Sequence, residues 1–191
     1  MRLDHIAYRV KDREKSAQFF VDAFGYKKQI EFDITLEDGS TAKCVALEPP
    51  EKVSPSMAFV SEVDILGIDV ASETGYSNTV SAYHLAPEIF VSSGPPGSLI
   101  DKWVEEWGRG VGGIHHMAYQ VDSVEAKMKE WIDKGWMFTT KEALKCESLT
   151  QVFSKPHPLT GMIYEFIERK GQHGFCKDNV AKLMASTANL K

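Results

Sequence analysis

With 191 residues, 43% of them hydrophobic and 26% charged, the chain can bury one sizeable core and lacks the composition of a disordered segment. A formal net charge of -5 without any run of Lys or Arg counts against nucleic acid and acidic membrane surfaces as partners, since both need a concentrated positive patch. The three cysteines, Cys44, Cys146 and Cys176, are odd in number and show no CxxC spacing, so neither a disulfide framework nor a structural zinc site is expected.

In chain order, the first element is a strand with alternating faces, Asp4-His5-Ile6-Ala7-Tyr8-Arg9-Val10-Lys11-Asp12. It ends in an acidic residue able to cap a helix. The charges in this segment also break any signal-peptide core, and no apolar stretch approaches the roughly 18 residues of a membrane span, which predicts a cytoplasmic protein. A helix follows, with Ala17, Phe19, Phe20, Ala23 and Phe24 as its buried face and Gly25-Tyr26 as its stop. Pro49-Pro50 and Pro55 mark a turn, and an insertion at about 57–84, with Gly67, Gly75, Ser77 and Asn78, reads as a loop or hairpin. Pro87-Glu88-Ile89-Phe90-Val91 closes this first unit as a strand.

The pattern then recurs. His115-His116-Met117-Ala118-Tyr119-Gln120-Val121-Asp122-Ser123 matches the first strand, and a helix with Val124, Met128, Trp131 and Ile132 as its apolar face follows. Gly135-Trp136 repeats the helix stop, and Tyr164-Glu165-Phe166-Ile167-Glu168 repeats the closing strand. The predicted fold is α+β: two tandem βαβββ units forming one open, barrel-like mixed sheet around a metal cleft. It is a single domain over 1–191, with a first unit over 1–110, a second over 111–170 and a tail over 171–191 that carries a helix from Asp178 to about Asn189.

Equivalent positions in a duplicated sheet converge, so His5 and His116 point into one cleft and Glu165 adds a carboxylate from the second closing strand. Two imidazoles and one carboxylate form the facial set that holds iron(II) with positions left open. A lone strand histidine is usually just a hydrogen-bonded or surface residue, but the repeat raises the weight of these two. Alternation sends His115 to the face opposite His116. Glu88 matches Glu165 in the repeat and is a candidate fourth ligand, which would suit redox-neutral Lewis-acid chemistry instead. A one-residue slip of its strand would turn it away. His84, His157 and His173 have weaker claims. Phe153 and Phe175 are core by default, but as a pair they could sandwich a planar substrate.

These residues resemble the vicinal oxygen chelate superfamily of glyoxalases, bleomycin-resistance proteins and dioxygenases, and most of all the catalytic half of 4-hydroxyphenylpyruvate dioxygenase. The resemblance is carried by Gly112-Gly113-Ile114-His115-His116-Met117-Ala118, Gln151-Val152-Phe153-Ser154-Lys155-Pro156, Tyr164-Glu165-Phe166-Ile167-Glu168-Arg169 and Gly174-Phe175-Cys176-Lys177-Asp178-Asn179. It implies iron(II) on His5, His116 and Glu165, with zinc, cobalt, manganese or magnesium as alternatives. It also implies Phe153 and Phe175 flanking an aromatic ring, Gln151 as a polar pocket residue, and a small 2-oxo acid and O2 as reactants. Leu99 and Asp101 stand where that family has pocket-side glutamines, and the insertion is foreign to it. The expected function is a non-haem iron(II) oxygenase of an aryl 2-oxo acid. The alternatives are a metal-dependent epimerase, isomerase or lyase that uses Glu88, and a non-catalytic resistance protein. Relatives that pair make a homodimer an expectation too.

Overall fold

The computed structural model describes residues 1–36, 38–50, 86–170, 175–188 and 190. Its elements are β1 (Arg2–Val10), α1 (Arg13–Phe24), β2 (Lys27–Thr35), β3 (Thr41–Glu48), β4 (Glu88–Ser93), α2 (Leu99–Glu106), β5 (Gly112–Gln120), α3 (Val124–Asp133), β6 (Leu144–Lys145), β7 (Leu149–Phe153), β8 (Ile163–Arg169) and α4 (Lys177–Ser186). The insertion expected at 57–84, with His84, and the tail residue His173 lie outside the described residues.

The two expected units are visible in the strand order of one eight-stranded sheet, β2-β3-β4-β1-β5-β8-β7-β6. Each unit places its first strand parallel to its last, β1 with β4 and β5 with β8, and the units meet through the antiparallel pair β1–β5. The sheet is mixed and curls into a half-barrel, an α+β arrangement with a C-terminal helix laid against it. Both unit helices start where the sequence places caps. Asp12 accepts from the Lys15 amide at 3.0 Å and Ser123 from the Ala126 amide at 3.2 Å. Gly25 closes α1 at φ 73°, a left-handed conformation that glycine adopts without steric cost.

Two details depart from the sequence reading. The aromatic residues expected to bury α1 are largely outside: Ala17 is fully buried, whereas Phe19 and Phe24 are each 56% exposed. Ile132 of α3 is exposed as well, and Val124 and Met128 carry that helix's buried face. A helix lying across a sheet buries a narrow stripe, and clustered phenylalanines exceed its width. The segment joining the units is also a helix, α2, capped by Ser98. Leu99 and Asp101 therefore sit in its first turn, where Asp101 receives Lys11 Nζ at 2.6 Å, and neither lines the cleft formed by β1, β5 and β8.

The core lies on both faces of the sheet. Ala7, Phe32, Ile34, Cys44, Phe90, Ile100 and Val104 pack with Val180 and Met184 of α4 on the concave side of the first unit. Val121, Val124, Met128, Val152 and Phe166 form the cluster beneath α3. Close approach of the units at the β1–β5 seam depends on Gly112, where a Cβ would lie 2.5 Å from the Arg9 carbonyl oxygen.

Candidate metal centre

His5, His116 and Glu165 come together, all buried, at the centre of the sheet. Glu165 Oε2 lies 3.2 Å from His5 Nε2 and 3.1 Å from His116 Nε2, and the two Nε2 atoms are 3.4 Å apart. Donors held about 2.0–2.2 Å from one ion at right or tetrahedral angles stand roughly 3–3.5 Å from each other. The triad therefore has the spacing, and the nitrogen and oxygen donor types, to hold one divalent metal ion.

Each ligand side chain is braced by a neighbour at its other end. In β1, Leu3 pairs with Tyr119 and His5 with Ala118, so Asp4 is an extra residue, a β-bulge. In β5, His116 pairs with Ala7 and Ile114 with Tyr8, so His115 is extra in the same way. Each bulge turns the residue before the ligand histidine onto that histidine's Nδ1. Asp4 Oδ1 and His115 Nδ1 each lie 2.8 Å from theirs. Strict alternation, which places His115 on the far face, fails here because the ladder is broken at that residue. Arg169 grips Asp4 through Nε and Nη2 at 2.8 and 2.7 Å. Gln151 Nε2 donates to Glu165 Oε1 at 2.7 Å, and Asn179 of α4 donates to Gln151 Oε1 at 3.3 Å. Such partners fix ring orientation and tautomer and raise ligand basicity.

The electrostatics follow this wiring. Burial alone would lower the pKa of His5, but Glu165 and Asp4 outweigh it and raise it to about 9. Burial would raise Glu165, and the two imidazoles instead bring it to about 2. Asp4 is held well below its ordinary value against burial by the Arg169 and His5 hydrogen bonds. His116 moves downward through burial, opposed by Glu165, and His115 falls well below its ordinary value through burial and the Arg9 charge. In the metal-free triad a proton thus sits where a metal ion would place its charge.

Glu88 stands outside the group. In the β1–β4 ladder it pairs with His5, and Phe90 pairs with Ala7; in β5–β8, Ile163 pairs with His116 and Glu165 with Ala118. The structural counterpart of Glu165 is therefore Phe90, and that of Glu88 is Ile163. The Glu88–Glu165 match expected from the repeat is displaced by two residues, roughly 6.6 Å along a strand. The Glu88 carboxylate lies 3.8 Å from Arg169. Among the described residues, the triad's ligand atoms are joined by no fourth His, Cys, Asp or Glu.

Of the expected pocket residues, Phe153 packs its ring 4.5 Å from that of His116 and Phe175 its ring 5.1 Å from that of His5. Both line a cavity with the triad, Gln151, Phe90, Arg9 and His115. Its volume is about 30 Å³, room for a water molecule or two. An organic ligand must therefore be small and displace a lining side chain. His157 lies elsewhere, beside Trp136 at 5.0 Å between ring centres. The sequence reading missed Asp4, Arg169 and Asn179 as braces, although each is next to or inside a segment quoted for another residue. It also missed Arg9 and Phe90, which carry no motif.

A model of the Glyoxalase/Bleomycin resistance protein/Dioxygenase superfamily matches residues 4–151. Among solved structures, the chain resembles a triple mutant of 4-hydroxymandelate synthase from Streptomyces coelicolor with a TM-score of 0.68 at 17% identity. That match covers 98% of this chain and 53% of the synthase, so the chain spans about half of that protein. A methylmalonyl-CoA epimerase matches with a TM-score of 0.60 at 19% identity, over 88% of this chain and 95% of the epimerase. The epimerase from Mycobacterium tuberculosis gives 0.58 at 17%, over 88% and 87%. At these identities the likeness shows the fold alone. No curated protein matches the sequence.

Proposed function

The chain belongs to the Glyoxalase/Bleomycin resistance protein/Dioxygenase superfamily, and on that premise we propose that it is a non-haem iron(II) oxygenase acting on a small 2-oxo acid. The superfamily supports a metal-dependent enzyme of dioxygenase-like or epimerase-like function. One observation favours the first of these. Among the described residues lining the cavity, Glu165 is the sole carboxylate, and it belongs to the triad. Epimerase chemistry needs a group free to move a proton at carbon, and Glu88, the carboxylate expected in that role, is drawn to Arg169 instead.

Iron(II), which two imidazoles and a carboxylate suit, would supply the redox chemistry of oxygen activation and a chelating point for the 2-oxo acid. The chain's own residues do the rest. Asp4 and His115 hold the imidazoles by Nδ1, so that both Nε2 atoms converge. Gln151, set by Asn179, occupies one oxygen of Glu165 and directs the other to the centre. Phe90, Phe153 and Phe175 exclude water and orient the substrate side chain, which protects a reactive centre from side reactions.

The test is an anaerobic titration of the metal-stripped protein with iron(II), followed by an arylpyruvate or alkyl 2-oxo acid. A visible charge-transfer band and oxygen uptake that requires iron are expected. Tight zinc, cobalt or magnesium without such a band would transfer the assignment to the epimerase or lyase reading. Glu88→Ala separates the two again: retained iron binding fits the oxygenase, whereas loss of metal and activity fits the alternative.

A further inference from the structure

Arg9, in the wall of the cavity, carries a charge that the triad does not use. Arg9 follows His5 by four residues on β1, so both side chains emerge on the same face. Arg9 is 2% exposed, yet among the described residues no carboxylate lies within ion-pair distance of its guanidinium. Its partners are neutral: Nη2 donates to Thr187 Oγ1 at 3.0 Å, and the guanidinium lies 5.7 Å from the centre of the Trp103 ring. Burial lowers its pKa to about 9, which leaves it cationic at neutral pH. The nearby Cys44 thiol, pushed up to about 12 by burial, is neutral there and compensates nothing.

A buried cation without a counter-charge is costly, and chains seldom keep one unless something anionic arrives. A second donor lies in the same wall. With His116 Nε2 committed to the triad, its Nδ1 carries the proton and donates to His115 Nδ1, which leaves the remaining hydrogen of His115 on Nε2. That nitrogen is buried and, among the described residues, has no hydrogen-bond partner. Arg9 and His115 both line the metal cavity.

We infer that Arg9, with His115 beside it, forms an anion subsite facing the triad, so that the substrate is a small 2-oxo acid bearing a second carboxylate. This rests on the proposed function for the chelating end of the molecule and adds the identity of the other end. Thr187, just beyond α4, holds the guanidinium in place, and the planar fork of Arg9 suits a carboxylate in two-point contact. Phe90, Phe153 and Phe175 line the same small cavity, which calls for a short apolar spacer between the two ends.

The experiment is calorimetric titration of the iron(II)-loaded protein, under argon, with acids matched in length. The pairs are 2-oxoglutarate against 2-oxopentanoate and 2-oxoadipate against 2-oxohexanoate. At least one diacid should bind about tenfold or more tightly than its monoacid, as a charge-assisted contact implies. Arg9→Met should bring that ratio near one, and Arg9→Lys should restore part of it. If Arg9→Met does not fold, Thr187→Val, which frees the guanidinium, should reduce the ratio. Equal affinity within both pairs in the unaltered protein overturns the subsite and leaves the oxygenase reading standing. Diacids that bind with the same preference to metal-free and metal-loaded protein support the subsite while removing the evidence for chelation. Failure of every acid to bind overturns both.

Discussion

The two halves of the sheet present the same device in two electrostatic versions. Each carries a triad histidine on its first strand, and each has a bulged residue just before it that reaches that histidine's Nδ1 at 2.8 Å. In the first half that residue is Asp4, clamped by Arg169, and His5 is driven up to about 9. In the second half it is His115, a neutral imidazole, and His116 is driven down. The carboxylate ligand comes from the second half alone, since the equivalent place in the first is filled by Phe90. Backbone duplication thus places the histidines, whereas divergence at two bulges and one strand position gives one asymmetric centre.

The strongest break of this asymmetry is the loss of the single carboxylate. Glu165→Gln should abolish stoichiometric binding of iron(II), read by metal analysis after gel filtration, and stoichiometric retention would sink the triad. Smaller is the contrast between the braces. Asp4→Asn should weaken metal affinity about 10–100-fold, whereas His115→Asn, which keeps a neutral partner on Nδ1, should weaken it less. Competition with a chelator measures both, and the reverse order would contradict the division of roles between the halves.

The smallest effect is a pH dependence. His5 has its pKa raised from 6.5 to about 9, so in the metal-free protein its contribution to stability is complete below pH 6.5. It declines as pH rises through about 9. His115 and His116, both lowered, are protonated near pH 6.5 chiefly in the unfolded chain and are neutral in both states above about pH 8, so the upper part of the decline isolates the first half. Melting temperatures of chelator-treated protein should fall between pH 6.5 and 9, and the Glu165→Gln variant should show a flatter limb. A limb equally steep in that variant would mean that another group is titrating.

Local periodicity and repetition carried much of this. The tandem units, the capped helices, the glycine stops and the tail helix all follow from patterns within about 20 residues, the range over which side-chain spacing reports on one element. His5 and His116 come together because duplication makes equivalent positions converge, whereas Glu165 has no acidic counterpart, since Phe90 holds the equivalent place. The match of Glu88 to Glu165 fails because two strands with similar local sequence need not share a register, and register belongs to the pairing with β1 and β5.

By itself, the sequence determined which residues repeat, which elements they form and which side chains could hold a metal ion. The tertiary structure alone decided that Asp4 and His115 are bulged onto the triad histidines, that Phe90 rather than Glu88 mirrors Glu165, and that Arg9 is buried with no counter-charge among the described residues. The physical reason is that bulges, register and charge compensation are relations between strands distant in the chain, and no single strand's sequence contains its partner.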